Sequence, residues 1–166
     1  MDRLIADLDR QFSQLHQESR ELIHAISSEL LYYRPPGGPN SSPGQSCGEQ
    51  ILRSAAVVEQ TFGGITTNLW DDPFEWTLPE TLSTPEKVSD YLHEVEATRK
   101  RGFELFKSDD DLFKEIMAPA GETQLQPLLL DTLARAAHYL GSARATFELL
   151  SASESKAKNS KLKTEN

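Results

Sequence analysis

A lone histidine, His138, lies between Arg135 and Arg144 in the stretch LARAAHYLGSARATFELL, residues 133–150. A neutral imidazole at this place would be able to bind a transition metal or to act as a general base. The leucines of the stretch recur at helical spacing, and at about 100° per residue His138 lies roughly opposite them. We therefore expect His138 to face solvent rather than to form part of a metal or catalytic site.

The cysteine and the other histidines offer less chemistry. The chain has one cysteine, Cys47, so no disulfide can form within it, and this fits a reducing compartment. A thiol near a helix N-terminus can have a lowered pKa, but a lone cysteine without a nearby base is typically inert. We expect His16, His24 and His93, on three separate stretches of two other helices, to be surface residues.

Apolar residues at three- and four-residue steps predict four amphipathic helices. These helices lie near residues 2–30, 46–69, 84–106 and 124–150. Ser46 and Glu49 form a capping-box pattern at the start of the second helix, and Ser83 or Thr84 can cap the third. Such helices must bury their apolar faces against one another, which predicts an all-α four-helix bundle over residues 1–150.

The connection between the second and third helices is long and aromatic. Residues 70–83, WDDPFEWTLPETLS, include Trp70, Phe74 and Trp76, too many large rings to leave in water. A segment of this length can run along a bundle, so that helices 2 and 3 lie parallel in an up-down-down-up order. The sequence leaves open whether the segment covers the core, forms a lid over a pocket or makes a dimer contact.

The connection between the third and fourth helices contains the acidic run SDDD, residues 108–111. The run lacks the spaced ligands and the glycine of a calcium loop, so we expect a helix-capping, solvated turn. We expect a short helical turn around residues 112–116, and no alternating strand pattern is present. Residues 151–166 are polar and rich in lysine, which predicts a disordered tail.

Charge and hydropathy exclude two classes of partner. The net charge of −9 repels phosphate backbones, so we expect no binding to nucleic acid. The N-terminus, MDRLIADLDR, resembles neither a signal peptide nor a membrane span, and no apolar run reaches about 18 residues. These features predict a cytoplasmic protein with no membrane partner.

Three segments of the chain resemble the DinB/YfiT-like four-helix bundles. The first helix ends in ELLYYRPPGG, similar to the Leu-x-x-x-Arg-Pro segment of that family. SCGEQILRSAAVVEQ looks like its capped second helix, and LLLDTLARAAHYLGSA looks like its fourth. The resemblance covers about residues 2–150. It implies the same bundle fold and, in many members, a divalent metal held by one histidine of helix 2 and two histidines of helix 4.

The second helix of this sequence departs from the family at its metal ligand. The family histidine falls on Arg53 or Ser54, depending on a one-residue choice of register. Arginine is always cationic and cannot be a ligand, and serine is a poor ligand for zinc or nickel. Neither register therefore supplies the first of the three histidines.

The fourth helix departs from the family pattern as well. When Gly141 is aligned with the family glycine, the two histidines fall on Arg135 and Tyr139; when His138 is aligned instead, its partner falls on Ser142. At most one of the three ligands is then a histidine. We expect a degenerate site with no metal and no other cofactor.

The altered ligand positions nevertheless define a candidate pocket between helices 2 and 4. Its residues are Arg53, Ser54, Arg135, His138 and Tyr139. Two arginines would put positive charge where the family holds a cation, so that a small carboxylate or phosphate could bind there. The alternative is that each arginine pairs with the acid four residues before it, Glu49 or Asp131.

These observations favour a DinB-like bundle without a metal that acts as a binding or interaction module, with no assigned catalytic residue. The partners expected are a second copy of the chain, in a homodimer, and a small anionic ligand. The alternative is an enzyme of the family's thiol-transfer type that holds an anionic substrate in the pocket between helices 2 and 4. A purely structural role is a third interpretation.

Overall fold

A computed structural model of the chain describes residues 2–36, 44–73, 77 and 79–164, with side chains as far as residue 153. Most of these residues are helical, as the all-α prediction requires. The helices are α1 (Arg3–Ala25), α2 (Ser28–Leu31), α3 (Cys47–Thr67), α4 (Pro85–Glu104) and α5 (Leu125–Thr164). A 3₁₀ helix (Asp109–Phe113) and a hairpin of strands β1 (Glu115–Ala118) and β2 (Gly121–Gln124) lie between α4 and α5. No helix in these ranges is long and apolar enough to cross a membrane.

The first predicted helix is broken in two. We expected one helix over residues 2–30, but Ile26 has an extended backbone (φ −90°, ψ 138°) and ends α1. Ser27 begins a new turn, because its carbonyl accepts hydrogen bonds from the amides of Leu30 and Leu31 at 3.1 and 3.0 Å. The break brings both Ile26 and Leu31 into the core, where they are buried.

The second and third predicted helices are confirmed, and so are their caps. At the start of α3, the Glu49 amide donates to Ser46 Oγ at 3.2 Å, and the Ser46 amide donates to Glu49 Oε2 at 2.9 Å. At the start of α4, Thr84 Oγ1 accepts a hydrogen bond from the Lys87 amide at 3.4 Å. Local side-chain chemistry therefore sets where these two helices begin.

The segment before the last helix contains a hairpin that the sequence analysis did not predict. The helical turn expected around residues 112–116 is only partly right, because the 3₁₀ helix ends at Phe113 and β1 begins at Glu115. The innermost pair of the hairpin is Ala118 and Gly121, and the φ of Gly121 is 115°, a value that favours glycine. Strands of four residues are too short for an alternating pattern to be recognised.

Two predictions fall wholly or partly on residues outside the described ranges. The backbone of α5 is helical to Thr164, beyond the end expected at residue 150. Side chains after residue 153 are not described, so the disordered tail expected over residues 151–166 stays a prediction. Phe74 and Trp76 of the aromatic connection also lie outside the described residues.

The core lies where α1, α3, α4 and α5 meet. Three phenylalanines interlock three of these helices, since the ring of Phe62 lies 5.2 Å from that of Phe12 and 5.3 Å from that of Phe103. The most extensive helix contact is between α3 and α5, where the buried hydroxyls of Thr61 and Thr132 lie 2.8 Å apart. All four long helices that the periodicity predicts therefore contribute to one core.

The acidic run at residues 108–111 caps the first helix from a distant part of the sequence. The Asp109 carboxylate accepts hydrogen bonds from the amides of Leu4 and Ile5 at 3.1 and 3.0 Å. The Asp2 carboxylate in turn accepts a hydrogen bond from the Asp109 amide at 3.1 Å. The helix-capping role expected for this run is confirmed, and it fastens the N-terminus of α1 to the 3₁₀ helix. The expectation that the whole run is solvated is wrong at Asp111, which is buried.

We expect Asp109→Ala to lower the free energy of unfolding by about 1 to 2 kcal/mol, because two amides at the α1 N-terminus lose their acceptors. Urea unfolding followed by circular dichroism measures this loss. The control is Asp110→Ala, which removes the same charge from the exposed neighbouring position and should change stability by less than about 0.5 kcal/mol. Equal losses in the two variants would contradict the capping role.

Candidate functional site

A cleft between α3 and α5 brings together three of the five residues predicted for the pocket. Arg53 of α3 lines it with Arg135 and Tyr139 of α5, and the polar side chains of Gln60 and Asp72 line it as well. The cleft has a volume of about 50 Å³, enough for a few water molecules or one small oxyanion. We call these five residues the arginine cleft.

Positive charge exceeds negative charge in the arginine cleft. Among the described residues that line it, two guanidinium groups accompany a single carboxylate, that of Asp72. Arg135 and Tyr139 are four residues apart on α5 and therefore share one face of the helix. Guanidinium N–H groups and a phenol O–H are strong donors to a carboxylate or a phosphate, and arginine can bind either with two parallel hydrogen bonds. The cleft is chemically suited to an anion.

The local ion pairs predicted as an alternative are present in part. Arg135 lies 3.7 Å from Asp131, with 53 % and 65 % of the two side chains exposed. An exposed pair of this kind contributes at most about 1 kcal/mol, so Arg135 can turn toward a ligand at small cost. Glu49, the acid predicted to pair with Arg53, forms an ion pair with Arg34 and caps α3.

The other two residues predicted for the pocket lie outside the arginine cleft. Ser54 is buried, and its Oγ donates to the carbonyl of Ala136 at 2.8 Å, which joins α3 to α5. His138 is exposed, as expected from its position opposite the apolar face, and its ring lies 5.8 Å from that of Tyr139. The cleft thus contains Arg135 and Tyr139, the two positions on which the family histidines fall when Gly141 is aligned with the family glycine.

The connection after α3 lies against the helix beside the arginine cleft. The Trp70 ring packs on Gly64 so closely that a Cβ atom there would lie 2.3 Å from the ring. Gln60 Nε2 donates to the Trp70 carbonyl at 2.8 Å, and Tyr32 Oη donates to the Leu82 carbonyl at 2.5 Å. A glycine inside a helix weakens the helix unless another element packs closely against it. The connection, rather than a helix, makes that contact.

A charged cluster in the core was missed by the sequence analysis. Arg99 of α4 is only 2 % exposed, and its guanidinium donates to Glu96 at 2.7 and 2.8 Å and to Ser13 Oγ at 3.1 Å. Asp9 of α1 forms a further ion pair with it. The signal was present in the sequence, because Arg99 follows Val95 by four residues on the inward face of α4. A charged residue at such a position indicates a buried ion pair.

A cavity of about 20 Å³, room for about one water molecule, adjoins this cluster. His16 lines the cavity and is half-buried, and burial lowers its pKa. Its ring lies 6.1 Å from that of His93, which is exposed. The prediction that His16 is a surface residue is therefore wrong, because the residue turns into the seam between α1 and α4. His93 and His24 are exposed, as predicted.

In the described part of the chain, neither the thiol nor the other possible metal ligands are placed for reaction or for metal binding. Cys47 is fully buried, and burial raises the pKa of its thiol to about 12, so the lowered pKa considered from its helix position does not occur. No group of three His, Cys, Asp or Glu side chains within the described ranges is placed to hold a metal ion.

We expect the protein to bind neither zinc nor nickel stoichiometrically, because at least two of the three histidines implied by the resemblance to the DinB/YfiT-like bundles are replaced in each register. Isothermal titration calorimetry with either metal, after treatment with a chelator, measures this directly. Tight binding of one metal ion per chain that is lost in His138→Ala would contradict the expectation and would restore the family's metal chemistry.

No protein-family model matches the sequence, and a comparison with curated proteins gives no match. The likeness to the DinB/YfiT-like bundles rests on the three sequence segments, and the positions of the family histidines are where the chain departs from it.

Proposed function

We propose that the chain is a DinB-like four-helix bundle that binds a small anionic ligand in the arginine cleft and acts as a binding module. One observation carries the proposal: Arg53, Arg135 and Tyr139 line a single cleft. With the register aligned on Gly141, and with Arg53 rather than Ser54 as the position in helix 2, these are the positions to which the resemblance assigns the three metal ligands. The cleft then presents hydrogen-bond donors to an anion where family members hold a cation.

The order of helix contacts supports an up-down-down-up bundle. Along α3, later residues meet later residues of α4, as in two parallel helices. In contrast, later residues of α3 meet earlier residues of α5, as in two antiparallel helices. The contacting pairs are Glu59 with Tyr91 and Phe62 with Phe103 on α4, and Gln50 with Thr146 and Thr61 with Thr132 on α5. The long connection between α3 and α4 fits a parallel pair, because a chain that crosses between parallel neighbours in a bundle must run back along its length.

The chemistry of the arginine cleft favours binding over catalysis. A thiol-transfer enzyme must help a thiol to lose its proton, which family members achieve with a metal. A guanidinium group and a phenol hold an anion well, but neither accepts a proton from a thiol at neutral pH. The lining contains neither histidine nor cysteine among the described residues. Its donors therefore serve to fix a ligand.

Isothermal titration calorimetry with inorganic phosphate and with acetate tests the proposal. Arg53→Gln and Arg135→Gln should each weaken the binding of the preferred anion about tenfold or more, because each removes a charged donor. The control is Arg144→Gln, which removes the same charge from an exposed position on the same helix. No binding of either anion, or an equal loss in all three variants, would show that the arginine cleft is not an anion site.

A further inference from the structure

A second cleft lies between α3 and α4 and is acidic. Glu59 of α3 and Asp90 and Glu94 of α4 line it, with Tyr91 between the two α4 acids. Thr77 of the connection also lines it. The volume is about 400 Å³, which is within the range of small-molecule sites. We call these five residues the acidic cleft.

The Glu59 carboxylate is held in place inside the acidic cleft. Tyr91 Oη donates to Glu59 Oε2 at 2.5 Å, and Tyr91 itself is buried. Glu59 is half-buried, and burial together with the nearby Glu94 carboxylate raises its pKa. A carboxylate that has lost part of its water and is fixed by a single hydrogen bond gains from a cation beside it.

The Thr77 hydroxyl points independently to a missing partner. Thr77 is 6 % exposed, and its Oγ1 has no hydrogen-bond partner in the part of the chain that the structure describes. Buried hydroxyls in proteins are normally paired with another group or with a bound molecule. An N–H donor on a ligand in the acidic cleft would provide that partner.

The charges of the acidic cleft select the class of ligand. Three carboxylates accompany one cation among the described lining residues, and that cation, Lys87, places its Nζ 3.4 Å from Ser83 Oγ. No group of described carboxylates, histidines or cysteines is placed to hold a metal ion, which leaves an organic cation as the better fit. Leu82 adds apolar lining for a short carbon chain.

We propose that the acidic cleft binds a small organic ammonium ion. The ammonium group lies beside the Glu59 carboxylate, within reach of Asp90 or Glu94, and donates a hydrogen bond to the Thr77 hydroxyl. Attraction to the fixed carboxylate provides most of the affinity. The site is separate from the arginine cleft, since the two clefts are lined by different residues, and either site can exist without the other.

Isothermal titration calorimetry with 1,4-diaminobutane, a dication at neutral pH, tests this proposal. Glu59→Gln should raise the dissociation constant about tenfold or more, because it removes the central charge while keeping an acceptor for Tyr91. Glu122→Gln, the same change at an exposed position of β2, is the matched control and should leave binding unchanged. Tyr91→Phe should weaken binding several-fold, because it frees the Glu59 carboxylate without altering the charge.

Three outcomes would overturn the proposal. The first is binding of 1,4-diaminobutane that falls equally in Glu59→Gln and Glu122→Gln. The second is no binding to the wild-type protein at roughly 10 mM. The third is equal binding of 1,4-butanediol, which has the same carbon chain without charge. Unfolding curves of Glu59→Gln and Tyr91→Phe confirm that each variant is folded during the titrations, so that lost binding reports on the acidic cleft.

Discussion

Replacing Arg99 with methionine will lower the free energy of unfolding by about 3 kcal/mol. The guanidinium is almost fully buried and binds Glu96, Asp9 and Ser13, so its removal leaves the Glu96 and Asp9 carboxylates without this partner between α1 and α4. The expected loss lies at the lower end of the range for a broken buried pair, because the Asp9 side chain is 33 % exposed and keeps some water.

Urea unfolding at neutral pH measures the effect of Arg99→Met against a matched control, Lys100→Met. Lys100 also pairs with Glu96, at 3.5 Å, but its side chain is 64 % exposed. Such a pair contributes at most about 1 kcal/mol, so the control should lose little stability. A similar small loss in both variants would show that the charged cluster does not hold α1 against α4.

Replacing Trp70 with alanine will lower the free energy of unfolding by about 2 kcal/mol. A fully buried tryptophan costs about 3 to 5 kcal/mol on truncation, and Trp70 is half-buried. Its ring fills the space beside Gly64 and donates from Nε1 to Asn68 Oδ1 at 3.3 Å. The variant leaves a cavity over α3 and loosens the start of the connection.

Leu69→Ala is the control for Trp70, because Leu69 is the preceding residue and is 61 % exposed. Unfolding is measured in dilute solution, where any dimer has separated, and sedimentation of concentrated protein reports association. If Trp70→Ala unfolds at the wild-type midpoint but associates poorly, the ring belongs to a dimer contact rather than to the cover of the bundle. That outcome would move the function of the connection from a pocket wall to an interaction surface.

The parts of the fold that local chemistry determines were predictable from the sequence. The capping box of Ser46 and Glu49 and the cap at Thr84 act within one helical turn, so their signals are complete in a short stretch. The break at Ile26 and the hairpin around Gly121 were missed, because packing of the surrounding core decides them. A short helix or strand has too few residues to show a recognisable apolar periodicity, so the sequence pattern does not predict it.

In the candidate sites too, features set within one helix were predictable and features set by tertiary packing were not. Arg135 and Tyr139 were predictable as neighbours, because four residues separate them on one helix, and the aligned register added Arg53. The acidic cleft was not predictable, because Thr77 comes from an irregular connection. Contacts such as Trp70 with Gly64 determine where that connection lies, and no periodicity reports such contacts.

A nuclear magnetic resonance titration of the arginine side chains tests the central claim most directly. The Nε–Hε signals of each arginine are followed while phosphate, or acetate if calorimetry shows that it binds better, is added at constant ionic strength. We predict saturable shifts for Arg53 and Arg135 with one common dissociation constant, while the exposed Arg10 and Arg101 stay unchanged. Uniform small shifts in all arginines, or saturable shifts confined to arginines outside the cleft, would contradict an anion site between α3 and α5.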